Sequence, residues 1–206
     1  MGLPKHTAKN ALICPAITSP RQTNFFTFIK KDWKELRKSD EKCYMFVCHK
    51  PREKLPKEVA DYIRWGETEC RAKGKGKQMG GKGRLANETE VAKTRAKQPA
   101  YFCGWYDLGG IIPVRIFATY YGRYKTRFVH NNFPVAMCHN FIALRPRKNI
   151  TFNKVQIKAL LAYLNSSFAH HHIETNGRYV PKGPMGFEVS VAREMPVLDV
   201  RKLDDE

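Results

Sequence analysis

IKALLAYLNSSFAHHHIETNGR, Ile157 to Arg178, is the stretch that decides the fold. Ile157, Leu160, Leu161, Leu164 and Phe168 recur at three- and four-residue steps, the period of one buried helix face. Asn165, Ser166 and Ser167 place small polar side chains mid-run, where they compete for backbone hydrogen bonds and weaken or bend a helix. Asn176-Gly177 closes the segment, and glycine is the usual residue where a helix ends in the left-handed conformation. The spacing therefore predicts an amphipathic helix over 154–176, packed on a sheet. What such a helix supports depends on the rest of a very basic chain.

The 206 residues carry 37 Lys and Arg against 19 Asp and Glu, a net charge of +18. That balance favours an anionic partner, nucleic acid before a membrane surface. Hydrophobic residues make up 42%, so a real core can form. No apolar run approaches the roughly 20 residues of a membrane span. MGLPKHTAKN lacks an apolar signal core and a myristoylation hydroxyl, which points to the cytoplasm and away from a membrane. The six cysteines form no C-x-x-C pair and lie in apolar runs, as reduced core residues do.

Outward from the helix, the order of elements is α+β: a mixed or antiparallel sheet of short strands with a few packed helices. Leu12–Ile17 reads as a strand broken by Pro15, Phe25–Ile29 as an apolar run, Asp32–Lys38 as a short helix and Cys43–Cys48 as a buried strand. Pro56 opens an amphipathic helix bearing Val59, Tyr62, Ile63 and Trp65, with Gly66 as its stop. Residues 1–98 form one part, with a basic glycine-rich loop at 71–97 that should be mobile. Residues 99–206 form a strand-rich part, beginning at YFCGWY and supported by the 154–176 helix. Tyr179–Phe187 reads as a loop and Val189–Val191 as a short strand or turn.

In the loop, Arg71, Lys73, Lys75, Lys77, Lys82 and Arg84 alternate with glycines and no acid. Glycine permits close backbone approach while the cations neutralise phosphates, so these six are expected on a phosphate backbone. A solvated loop is the plain alternative. Further on, Arg115, Arg123, Lys125, Arg127, Asn131 and Asn132 sit among tyrosines near strand ends. Arg suits guanine edges and Asn suits adenine edges, so these six are candidates for base or backbone contact.

Familiar catalytic patterns are missing. There is no G-x-x-x-x-G-K-[ST], G-x-S-x-G or H-E-x-x-H. His170, His171 and His172 point about 100° apart on a helix and cannot together ligate one metal. Asp61, Glu67, Glu69 and Asp107 show no E-x-K arrangement after a strand. No catalytic or metal residues are assigned on this basis.

Trp105-Tyr106, Asn140-Phe141, ALLAYLNSS, GRYVPKGPMGF and EMPVLD, in that order, resemble the C-terminal target-recognition domain of TaqI-like and related restriction–modification N6-adenine DNA methyltransferases. The resemblance runs from about Leu12 to Leu203. It implies sequence-specific binding of double-stranded DNA. It also implies a methyltransferase catalytic domain or subunit as partner, because the (N/D)-P-P-(Y/F) motif of the catalytic half is absent from this sequence. S-adenosylmethionine would bind that other half, so no cofactor is expected here. A stand-alone RNA-binding protein and a metal-dependent endonuclease are the rival classes.

Overall fold

The computed structural model describes residues 13–71, 83–109, 113–122, 126–179 and 183–203. In chain order its elements are β1 (Ile13–Ile17), β2 (Thr27–Phe28), α1 (Lys30–Lys38), β3 (Tyr44–Phe46), α2 (Lys57–Thr68), α3 (Glu90–Ala96), β4 (Ile116–Thr119), β5 (Tyr121–Gly122), β6 (Phe128–Asn131), β7 (Ala136–Met137), β8 (Phe141–Leu144), α4 (Lys154–Leu164), α5 (Ser167–Asn176), β9 (Arg178–Tyr179), β10 (Met185–Gly186) and α6 (Val189–Glu194). The fold is α+β with short strands, as the sequence order predicts. Contacts divide it into two units, one of residues 15–44 and 113–203, the other of residues 13–14 and 45–109.

The larger unit is built on a mixed sheet in the order β2-β6-β4-β8. β4 is antiparallel to β6 and β8, and β6 is parallel to β2. All four residues of β4 are buried, so this strand is covered on both faces. Successive side chains point to opposite faces. Ile116 and Ala118 join Phe128 and Ile142 against Ile157, Leu160, Leu161 and Leu164 of α4. Phe117 joins Val129 and Phe141 in a second cluster with Phe28 and Trp33. A smaller antiparallel sheet, β5-β10-β9, occupies part of what the sequence suggests is a plain loop between Tyr179 and Phe187.

The predicted 154–176 helix is two helices. α4 starts with a capping box in which Asn153 Oδ1 accepts from Gln156 N and Gln156 Oε1 accepts from Asn153 N. It stops at Asn165, whose side chain does strand-like work. Asn165 Oδ1 accepts from Phe128 N at 3.1 Å, and Nδ2 donates to Phe128 O at 3.0 Å and to Leu161 O at 2.9 Å. One carboxamide thus satisfies both backbone groups of the first residue of β6, groups that are costly to leave unpaired. Ser166 is extended, and α5 begins with a new phase. The phase change moves Phe168, expected on the buried face, to 79% exposure, while Ala169 and Ile173 enter the core. Gly177 ends α5 with φ −71°, outside the left-handed region. It is needed for space, since a Cβ there would lie 2.5 Å from Ile173 O.

The smaller unit packs Val59 and Ile63 of α2 on Cys48 and Tyr106, with Phe46, Leu55 and Trp105 beside them. Gly66 does not stop α2, which runs on to Thr68. It makes room for Trp105, whose ring would lie 2.7 Å from an added Cβ. YFCGWY is a series of turns and carries no strand. Asp107 explains the turns: its carboxylate accepts from Cys103 N and Gly109 N, each at 2.9 Å, and lies 2.8 Å from His49 Nδ1. Backbone amides tied to a carboxylate in this way are lost to a strand ladder. Burial alone would raise the Asp107 carboxyl, but the two amides and His49 outweigh it and hold it below the usual carboxylate range. Val189–Val191 lies in α6, a helix where a strand or turn is expected. The cysteines of the chain are free thiols.

Candidate nucleic-acid interface

Four of the sequence-predicted contact residues meet along β6 of the larger unit. Arg127 precedes the strand, and its guanidinium Nη1 donates to the Thr23 carbonyl. Arg115 precedes β4, and its backbone carbonyl accepts from Asn131 N at 2.7 Å. The exposed Arg115 side chain donates to Phe152 O at 3.2 Å. Asn131 is buried, and its Nδ2 donates to Val114 O at 2.9 Å and Val135 O at 3.3 Å. That carboxamide is spent inside the protein. Asn132 is exposed, fixed by its backbone N–H to Phe28 O at 2.9 Å, and it is the asparagine of the pair that reaches solvent. Arg123 and Lys125 lie outside the described residues.

The electrostatics around these residues stay positive. The two arginines end on carbonyl oxygens, which hold a guanidinium without cancelling its charge. Burial and the neighbouring Arg115 push His130 below its ordinary value, so its ring is neutral near pH 7. β2 lies beside β6 in the register Thr27↔His130 and Phe28↔Asn131. It brings a feature that sequence reading files under apolar run. Phe28 is buried, yet Phe25 is 56% and Phe26 61% exposed. The exposed lysines Lys30 and Lys31 follow at the start of α1. A sequence signal for this patch does exist, because Phe25 and Phe26 stand in an acid-free run that reaches from Met1 to Lys31.

In the smaller unit one arginine ends on a carbonyl and other cations on carboxylates. Arg71 donates to Gly83 O at 3.0 Å and forms an antiparallel bridge with Leu85. Arg84 lies 2.7 Å from Glu90, and Lys93 lies 3.7 Å from the same carboxylate. Arg52 forms a two-pronged pair with Glu67 at 3.0 and 2.8 Å, and Trp105 Nε1 donates to that glutamate at 2.9 Å. The end of the expected mobile loop is ordered: Thr89 caps α3, with Oγ1 accepting from Ala92 N. Lys73, Lys75, Lys77 and Lys82 lie outside the described residues.

Other site chemistry is thin. His170, His171 and His172 sit in α5, with His170 buried. Among the described residues no group of three or more His, Cys, Asp or Glu is placed to hold a metal ion. What the geometry offers is a set of cations around β6 and an exposed aromatic pair just before β2, the edge strand.

Comparison with known proteins adds a specific relationship. The chain is 25% identical over 195 residues to the type II methyltransferase M.AccI of Acinetobacter calcoaceticus. The chain is related to a type II methyltransferase. The match takes in 93% of this chain and 31% of M.AccI, so the chain spans about a third of that relative. Both units fall within so wide a match. No family model matches the sequence, and no solved structure matches it.

Proposed function

We propose that this chain is the target-recognition part of an adenine-N6 DNA methyltransferase of a restriction–modification system, and that it binds double-stranded DNA sequence-specifically. The observation that carries this reading is the lopsided match: 93% of this chain against 31% of a type II methyltransferase. A methyltransferase needs a cofactor site and a catalytic motif, and no (N/D)-P-P-(Y/F) tetrapeptide occurs in these 206 residues. In this reading the catalytic domain or subunit is the partner and S-adenosylmethionine belongs to it.

The physics fits that division of labour. Methylating adenine inside a duplex requires the base to leave the stack, at a cost of a few kcal/mol. A region that grips the flanking duplex offsets that cost. Arg115, Arg127 and Asn132 supply two cations and one exposed carboxamide around β6, with Arg donors suited to guanine or phosphate and Asn to adenine. Arg71, Lys73, Lys75, Lys77, Lys82 and Arg84 supply a charge run for phosphates.

Fluorescence anisotropy with labelled duplex across about 50 to 200 mM salt, with RNA and single-stranded DNA as competitors, tests the reading. With Arg84 held on Glu90, the other five predict a log–log slope of roughly −4 to −5. Replacing Lys73, Lys75, Lys77 and Lys82 with Ala should flatten it by about 3 to 4. Competition won by RNA or single strands would sink the duplex reading and favour an RNA-binding protein. An unchanged slope in the variant would leave those lysines merely solvated.

A further inference from the structure

We infer that Phe25 and Phe26 are a wedge that enters the base stack of bound DNA, an inference that rests on the duplex-binding reading above. Phe25 and Phe26 lie in the bend that leads into β2, and one aromatic of such an apolar run ordinarily finds the core. Here Phe28 takes that place and is 1% exposed, while Phe25 and Phe26 stand at 56% and 61%. Phe26 is fixed at its backbone: its O accepts from His130 N at 2.8 Å, and Phe28 O accepts from Asn132 N at 2.9 Å, so the chain from Phe26 to Phe28 is bonded to β6. Rings held on a fixed edge lose little conformational freedom on binding.

Charge identifies the occupant. No Asp or Glu occurs before Asp32, and Arg21, Lys30 and Lys31 flank the pair in sequence. Asp32 itself is engaged, accepting from Ile29 N at 2.8 Å. Arg127 is anchored to the carbonyl of Thr23, two residues before Phe25. An apolar surface ringed by cations is complementary to an apolar surface wrapped in anions. Stacked bases between phosphate backbones are such a surface, and apolar side chains that enter a base step unstack it locally while cations hold the backbone. This mode deepens the recognition reading, because a wedge lowers the cost of disturbing a duplex.

The test uses the full chain, a duplex of about 25 base pairs and the same duplex with one central mismatch, whose stack is already weakened. The wild-type protein should bind the mismatched duplex several-fold more tightly. F25A/F26A should bind intact duplex roughly tenfold more weakly and lose the mismatch preference, while its salt slope stays at the wild-type value because the rings carry no charge. Both side chains are exposed, so an unchanged melting temperature should accompany the loss. F25W/F26W should restore affinity and show quenched tryptophan emission on binding. Wild-type affinity of F25A/F26A for both duplexes would overturn the wedge and leave duplex recognition standing. Failure of the wild-type chain to bind any duplex would overturn both. Binding to anionic phosphatidylserine vesicles in preference to duplex would assign the rings to a membrane surface and overturn the inference.

Discussion

Arg84 and Arg127 look alike in the sequence, each a basic residue just before an apolar one, yet they end in different company. Arg84 sits 2.7 Å from Glu90, and Arg52 in the same unit is clamped on Glu67. Arg127, just before β6 of the other unit, and Arg115, just before β4, end on backbone carbonyls. A carboxylate neutralises a cation before any phosphate arrives, whereas a carbonyl orients it and leaves its charge. Counting lysines and arginines therefore overstates the charge left for a partner wherever a carboxylate lies alongside, as it also does at Arg178 and Arg201 of the larger unit. The exposed ion pairs add little to stability. Their larger effect is on which cations remain for an anionic partner.

The greatest expected effect comes from breaking the support at the start of β6. Asn165→Ala leaves the N–H and C=O of Phe128 without their partners, a loss of about 2 to 4 kcal/mol. It should also weaken duplex binding, because Arg127 lies directly before Phe128. Thr89→Ala, which removes the α3 cap, should cost about 1 kcal/mol and spare binding. Thermal melts and anisotropy on the two variants would separate the regions, and equal binding losses would contradict the contrast.

A smaller effect should appear with acid in the unit of residues 13–14 and 45–109. The folded state holds the Asp107 carboxyl below its ordinary value. Its contribution is then complete above the ordinary carboxylate pKa, near 4, and drains away as pH falls through the lowered folded value. Asp107→Asn should cost about 1 to 3 kcal/mol at neutral pH and flatten the acid limb of a stability–pH curve. An unaltered acid limb would remove Asp107 from the account. The smallest effect sharpens the comparison itself. Glu90→Gln should release Arg84 and Lys93, tightening duplex binding a few-fold at low salt and steepening the salt slope by up to about 1. No change would mean that Arg84 faces no phosphate.

Much of the fold is legible in the sequence, because burial periodicity is local. Ile157, Leu160, Leu161 and Leu164 face the sheet as their spacing says. The failures have tertiary causes. The α4–α5 break needs a strand for Asn165 to bond, and only then does Phe168 rotate outward. Gly66 and Gly177 resemble helix stops but are spacers for Trp105 and the Ile173 carbonyl. YFCGWY has strand composition, but one carboxylate four residues from Cys103 takes the amides that a ladder would use. Of the candidate contact residues, Arg127 and Asn132 flank β6 and Arg115 precedes β4, while the buried carboxamide of Asn131 could not be told from its exposed neighbour without the fold. Phe25 and Phe26 read only as part of an apolar run with Phe28, and it takes the fold to bury one and expose the other two.

The most direct test of the recognition assignment is a selection of bound sequences from a random duplex library by the full chain. The account predicts enrichment of one motif that contains an adenine, bound roughly 1,000-fold or more above random duplex. Retention of duplexes with no enriched motif, at non-specific affinity, would contradict it and leave a basic protein that holds DNA without reading it.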